Sequence, residues 1–280
     1  LELKERLHAH LIELVRDRDP YLATAGHFFV QQYIYQQMEQ WGTPEIHEFQ
    51  VRGKKHQNLI LNLLSFDGGL QKPPILVGAH YDAVPGTPGA DDNATGVAVL
   101  LELARGFATE PAKCPVRLVA FDMEEYGLLG STQYAADLKR QQQPLRLMIS
   151  LEMLGYCDAT PGSQSYPAGL GHFYPNRGDF IGLIGNLPTI PDLIHLSRRI
   201  RKGGTPCEWL PVPIRGLVVP PTRFSDHSPF WDRGYRALMV TDTAFLRNPH
   251  YHKASDRLKT LNLDFLTGVC RGLADGIRQL

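Results

Sequence analysis

Apolar residues recur every three or four positions through residues 1–18, where Leu3, Leu7, Leu11, Leu14 and Val15 are separated by charges. That spacing predicts an amphipathic helix. Asp19-Pro20 interrupts it, and a second helix is expected to run to about Gln40, ahead of Trp41-Gly42. Segments 45–52 and 57–66 read as antiparallel strands joined by the basic turn Arg52-Gly53-Lys54-Lys55. After these, strand and helix patterns alternate. PPILVGAH is an apolar strand ending on His80, with a helix from about Asn93 to Phe107 behind it. VRLVAFD ends just before Glu124 and precedes a helix near 127–139, and LRLMISLE ends on Glu152. DFIGLIG (179–185) is followed by a helix near 191–202, RALMVTD (236–242) is a further strand, and a last helix is expected at 261–279.

Repeated alternation of this kind predicts an α/β fold, with a largely parallel or mixed central sheet flanked by helices on both faces. No shift in composition marks a linker, so residues 1–280 are expected to form one domain, with helices in 1–42 packing on the sheet. Segment 156–178, rich in Gly, Pro, Tyr and Ser, is too long for a simple connection, and long irregular segments in compact domains tend to be functional.

Composition narrows the function. Lysine plus arginine and aspartate plus glutamate both number 29, and no basic stretch follows a helix face, so nucleic acid is not an expected partner. The longest apolar runs are strand-length, short of the roughly 20 residues that cross a bilayer. The first residues show no signal-peptide pattern, but the chain begins at Leu1 rather than Met, which leaves the compartment unassigned. Cys114, Cys157, Cys207 and Cys270 form no CxxC pair, which argues against a cysteine zinc site and leaves buried thiols or one disulfide open.

The candidate chemistry gathers at strand ends. His80, Glu124, Glu125 and Glu152 each fall at or just past the C-terminal end of a predicted strand, and His252 follows the strand ending at Asp242. Open α/β sheets bind ligands beyond the carboxyl ends of their strands. Imidazole and carboxylate donors converging there suit zinc. The expectation is a metal-dependent hydrolase.

The motifs HYD, GADDNATGVA, the Glu124-Glu125 pair in FDMEEYGLLGS, SLEMLGY, SDHSPF and YHKASD occur in an order that resembles the co-catalytic di-zinc aminopeptidase family of zinc exopeptidases, which also holds glutaminyl cyclases. The resemblance runs from about residue 57 to the C-terminus. It implies a single α/β domain and two zinc ions, with Asp91 bridging both. His80 and Glu152 would complete one zinc, and Glu125 and His252 the other. Glu124 would be the general acid/base, and a cis peptide would join Asp91 to Asp92. Many members carry Asp where this chain has Glu152, whose extra methylene requires the strand end to recede or the carboxylate to rotate. Two ions about 3.5–4 Å apart can share and acidify one water, which the resemblance makes the attacking hydroxide. Asp82, two residues past His80, is expected to orient the imidazole through its second N–H.

Other roles stay open in the sequence. Asp92 or Asn93 could cap the following helix. Asp226 and His227 read equally as a helix-capping turn or a substrate contact. His250 competes with His252 but lacks an Asp four residues on. The remaining histidines show no partner pattern. Phe173, Tyr174, Phe224, Phe230 and Trp231 divide between pocket and core. The expected activity is an aminopeptidase acting on peptides. A glutaminyl cyclase is the alternative, and a non-catalytic receptor-like domain a distant third.

Overall fold

The computed structural model describes residues 2–68, 72–167 and 169–280. Helices α1 (Leu3–Leu14) and α2 (Thr24–Glu39) precede the hairpin β1 (Glu45–Val51) and β2 (Lys54–Leu63). Arg52 and Gly53, both at positive φ, form its two-residue turn, so Lys54 and Lys55 belong to the strand and not to the expected longer turn. Then follow β3 (Ile75–His80), α3 (Gly96–Thr109), β4 (Val116–Phe121), α4 (Leu129–Arg140), β5 (Leu147–Glu152), β6 (Ile181–Asn186) and α5 (Ile190–Lys202). The chain ends with β7 (Cys207–Val212), α6 (Ser228–Asp232), β8 (Ala237–Thr241) and α7 (Leu263–Arg278).

The eight strands form one mixed sheet in the order β1-β2-β4-β3-β5-β8-β6-β7. The centre, β4-β3-β5-β8, is parallel; β2 joins it antiparallel on one side and β6 on the other. Residues of the central strands alternate between two cores, as a period of two on a doubly covered sheet requires. Ile75, Val77, Leu118, Leu147 and Ile149 face α1, α2, α3, α5 and α7, whereas Leu76, Val119, Phe121 and Met148 face α4 and α6. Helix α1 packs on α3 and α7, and α2 on α3 and β2.

Strand β7 was not expected. It sits at the sheet edge, where the missing N–H of Pro211 is tolerated, and its mixed Trp-Leu-Pro pattern carries no clear alternation. The four cysteines are all free. Over β8, β6 and β7, the α4 side of the sheet is covered by irregular segments from 156–178, 213–227 and 243–251. A cavity of about 860 Å³, open to solvent, remains beneath them. Among the described residues, no helix is long and apolar enough to cross a membrane.

Candidate metal centre

His80 ends β3 and Glu152 ends β5, so the sheet places these two side chains at one rim. The segment after β3 turns back through Ala90–Thr95 before α3 starts, and brings Asp92 under the same rim. His80 Nε2 lies 3.3 Å from Asp92 Oδ1, 3.5 Å from Glu152 Oε1 and 3.8 Å from Glu124 Oε2. From the other side, His252 Nε2 lies 3.1 Å from Asp92 Oδ2 and 3.3 Å from Glu125 Oε2. Three clusters of three residues result among the described residues, His80–Asp92–Glu152, Asp92–Glu125–His252 and His80–Glu124–Glu125, and Asp92 offers one oxygen to each of the first two.

That geometry corrects the expectation for Asp91. The Asp91 carboxylate points away from both imidazoles and accepts the Gly155 N–H at 2.9 Å and Asn248 Nδ2 at 2.7 Å. The carboxylate of Asp256, four residues after His252, accepts the backbone N–H groups of Asp91 and Asp92, which fixes the turn. Adjacent side chains project in different directions, so only one aspartate of the pair can face the rim. The cis peptide joins Asp92 to Asn93, one bond later than expected. Asn93 performs the capping expected of either neighbour: its Oδ1 accepts the Gly96 and Met153 N–H groups, and its Nδ2 donates to the Leu151 carbonyl.

Asp82 does more than face His80. Its Oδ1 lies 3.4 Å from His80 Nδ1, and its two oxygens accept the backbone N–H of Glu124 and of Glu125 at 3.1 Å each. It therefore ties the β3 end to the β4 loop that carries both glutamates. The longer Glu152 side chain is held by Ser225, whose hydroxyl donates to Oε2. Tyr251 stacks on the His252 ring at 3.7 Å between centroids. No periodicity or spacing singled out Ser225, Tyr251 or Arg18, a buried residue behind Asp92.

The electrostatics describe a site short of positive charge. Burial, joined by the charge of Asp92, pushes Glu125 up to about 7, and burial holds Glu124 well above the usual carboxylate range, with Glu152 and Glu125 adding to it against His80. Burial would raise Asp92 too, but His252 and His80 pull it below that range. Burial opposes charge on the imidazoles, yet the surrounding carboxylates raise His80 well above its ordinary value and bring His252 to about 10. Protons on these rings thus offset the carboxylates, and a bound cation displaces such protons. Both ring nitrogens of His80 and Glu125 Oε1 are buried without a hydrogen bond. Nitrogen and oxygen donors in this pattern fit zinc.

The remaining candidates separate cleanly. Asp226 and His227 are both buried: the Asp226 oxygens make no hydrogen bond, and His227 lies edge-on to Trp231 with Nε2 2.8 Å from the Thr222 carbonyl. Phe230 and Trp231 are core, Phe173 is exposed, and Tyr174 and Phe224 line the cavity with Tyr166 and Leu170 of segment 156–178. His250 bonds Ser255 near the surface. His27 and His56 are not bystanders: they pair with Asp122, two residues before Glu124. The cavity opens from Glu152 over the pocket-facing residues Gly182 and Ile184 of β6, Glu208 and Leu210 of β7, and Met239 and Thr241 of β8.

Residues 58–173 match the model of Peptidase family M28. The chain is 38% identical over 239 residues to YfbL, an uncharacterized protein of Escherichia coli K12, covering 80% of this chain and 71% of that relative. It is 39% identical over 95 residues to aminopeptidase YwaD of Bacillus subtilis 168, covering 31% of this chain and 21% of YwaD, so it spans about a fifth of that enzyme. The crystal structure of LapA aminopeptidase from Legionella pneumophila superposes with a TM-score of 0.73 at 19% identity, covering 99% of this chain and 73% of LapA. At that identity the likeness is one of fold.

Proposed function

The chain belongs to peptidase family M28, and from that premise we propose that it is a zinc-dependent aminopeptidase that removes apolar N-terminal residues from peptides. The carrying observation is the placement of Asp92 between two nitrogen-and-carboxylate clusters, one of which shares Glu152 with the lining of a mostly apolar cavity. On this reading Asp92 is common to two zinc ions, His80 and Glu152 complete one, and Glu125 and His252 the other. When bound, the ions supply an acidified water and polarise the scissile carbonyl.

The protein's own groups divide the remaining work. Glu124 sits at the rim with its carboxyl shifted upward, suited to take a proton from the attacking water and return it to the leaving amine. Asp82 holds the Glu124 and Glu125 backbone, which keeps their side chains on separate tasks. The described residues lining the cavity include the carboxylates of Glu152 and Glu208 and no lysine or arginine. The similarity to an aminopeptidase of Bacillus subtilis supports action at the amino terminus.

The test is an assay of zinc-loaded protein on leucine anilide, a Leu-initiated peptide, its N-acetylated form, its C-terminal amide and an N-terminal Gln peptide. Release of the first residue should survive amidation and stop on acetylation. Turnover that persists after acetylation contradicts the proposal, and ammonia with a blocked N-terminus from the Gln peptide alone would assign a cyclase instead. Glu124→Gln should keep zinc and lose about 100-fold or more in kcat.

A further inference from the structure

Two neighbouring residues outside the matched segment reach both loops that carry the clustered carboxylates. Arg18 is 1% exposed. Its Nε donates to the Tyr81 carbonyl at 2.8 Å, Nη1 to Pro88 at 2.7 Å, and Nη2 to Gly89 at 2.9 Å and Asp92 at 3.3 Å. The Gly89 carbonyl also accepts the Ala94 N–H at 3.2 Å, and the guanidinium links it to the Tyr81 and Pro88 carbonyls, which organises segment 81–92. Gly89 adopts a positive φ there, and a Cβ would strike the Asp92 carbonyl and the Arg18 guanidinium. Asp19 is also buried, and its Oδ1 accepts the Tyr21 and Leu22 N–H groups of its own turn. Its Oδ2 accepts the Tyr126 hydroxyl at 2.6 Å, beside Glu125.

We propose that Arg18–Asp19 is a positioning clasp that sets the separation of the Asp92 and Glu125 loops, and thereby the affinity of the Asp92–Glu125–His252 position for its cation. The inference rests on the dinuclear reading above. The two positions differ in what builds them. His80 and Glu152 terminate β3 and β5, whose parallel register, with Gly78 opposite Ser150, already fixes their spacing. Asp92, Glu125 and His252 all lie on loops, so their convergence depends on cross-ties. Asp82 supplies one, from inside the β3 loop to the Glu124 and Glu125 backbone. Asp256 supplies a second, from the His252 loop to the Asp91 and Asp92 amides, and the clasp a third, from a turn outside all of these loops. Arg18 also faces the carboxylates of Asp92, Asp256, Asp82 and Glu125, whose mutual repulsion would otherwise spread the loops.

The experiment is a zinc titration of the full chain against a competing chelator, resolving two binding steps, with the melting temperature of the zinc-free protein alongside. Tyr126→Phe removes only the hydroxyl donated to Asp19. It should weaken one of the two steps, that of the Asp92–Glu125–His252 position, about 10-fold, within the range for lost outer-shell partners. The other step should stay within about twofold and the zinc-free melting temperature should hold. Arg18→Lys keeps the charge but cannot span the four carbonyls, and it should weaken both steps because Asp92 is common to them. Asp19→Asn repeats the Tyr126 test if Arg18→Lys fails to fold. Two wild-type steps left unchanged by Tyr126→Phe and Asp19→Asn overturn the clasp alone. A variant that melts earlier yet binds both ions normally also overturns it. A single step in the wild-type protein overturns the dinuclear reading and the clasp with it.

Discussion

Ser225 donates its hydroxyl hydrogen to Glu152 Oε2 at 2.6 Å, leaving Oε1 3.5 Å from His80 Nε2. Ser150, 2.9 Å from Ser225, completes the chain of donors below the rim. One Glu152 oxygen is thereby occupied and the other aimed, which accommodates the extra methylene. Ser225→Ala should cost about 10-fold in affinity for the zinc at the His80–Glu152 position without altering the fold. Chelator competition measures it, and an unchanged affinity would remove Ser225 from the site.

The adjacent aspartates should behave unlike each other. Asp92→Asn should lower zinc affinity by about 100-fold or more, because a neutral amide replaces the carboxylate common to both clusters. Asp91→Asn should keep zinc within about tenfold and instead lower stability by about 1–3 kcal/mol, since one of the donors from Gly155 or Asn248 loses its acceptor. Zinc analysis and denaturant melts on both variants separate the roles, and equal zinc loss would restore Asp91 to the centre.

Gly182 lines the cavity, where a Cβ would sit 3.3 Å from the Thr241 carbonyl and 3.7 Å from the Thr243 methyl. Gly182→Val should reduce kcat/KM for Leu- and Phe-initiated substrates by about 10-fold or more while sparing Ala-initiated ones, the scale of one or two methylenes in a fitted pocket. A uniform loss across all three substrates would point to a distorted sheet and not to a filled pocket.

His227 supplies a pH signature of its own. Burial lowers its imidazole from 6.5 to about 3 in the folded protein, so the unfolded chain binds the proton more readily. The stabilising contribution of the neutral ring is complete above about pH 6.5 and is lost as pH falls toward 3. The loss is on the order of 4 kcal/mol. Gln at position 227 can still donate to the Thr222 carbonyl but does not titrate. Stability of His227→Gln measured from pH 7 to pH 4 should therefore fall less steeply than that of the native chain, and parallel curves would refute the assignment.

Much of this arrangement was legible in the chain itself. Strand-length apolar runs ending on His80 and Glu152 locate two side chains at one edge because a parallel strand delivers its last residue to a fixed rim, whatever the loops do. The same local logic identifies the Glu124-Glu125 pair, the helices that cover the sheet, and segment 156–178 as a functional loop. Edge strand β7 escaped detection because Pro211 and the mixed pattern around it erase the alternation that marks a half-buried strand.

What local pattern could not decide was direction and distance. Which of Asp91 and Asp92 faces the imidazoles depends on Asp256 gripping both amides from 164 and 165 residues away. The buried place of Arg18 behind that turn depends on carbonyls 63 to 74 residues farther along. Composition and periodicity establish elements because those preferences act over a few residues. The aim of a carboxylate is set by partners that meet only when the sheet, its loops and the N-terminal turn are packed together.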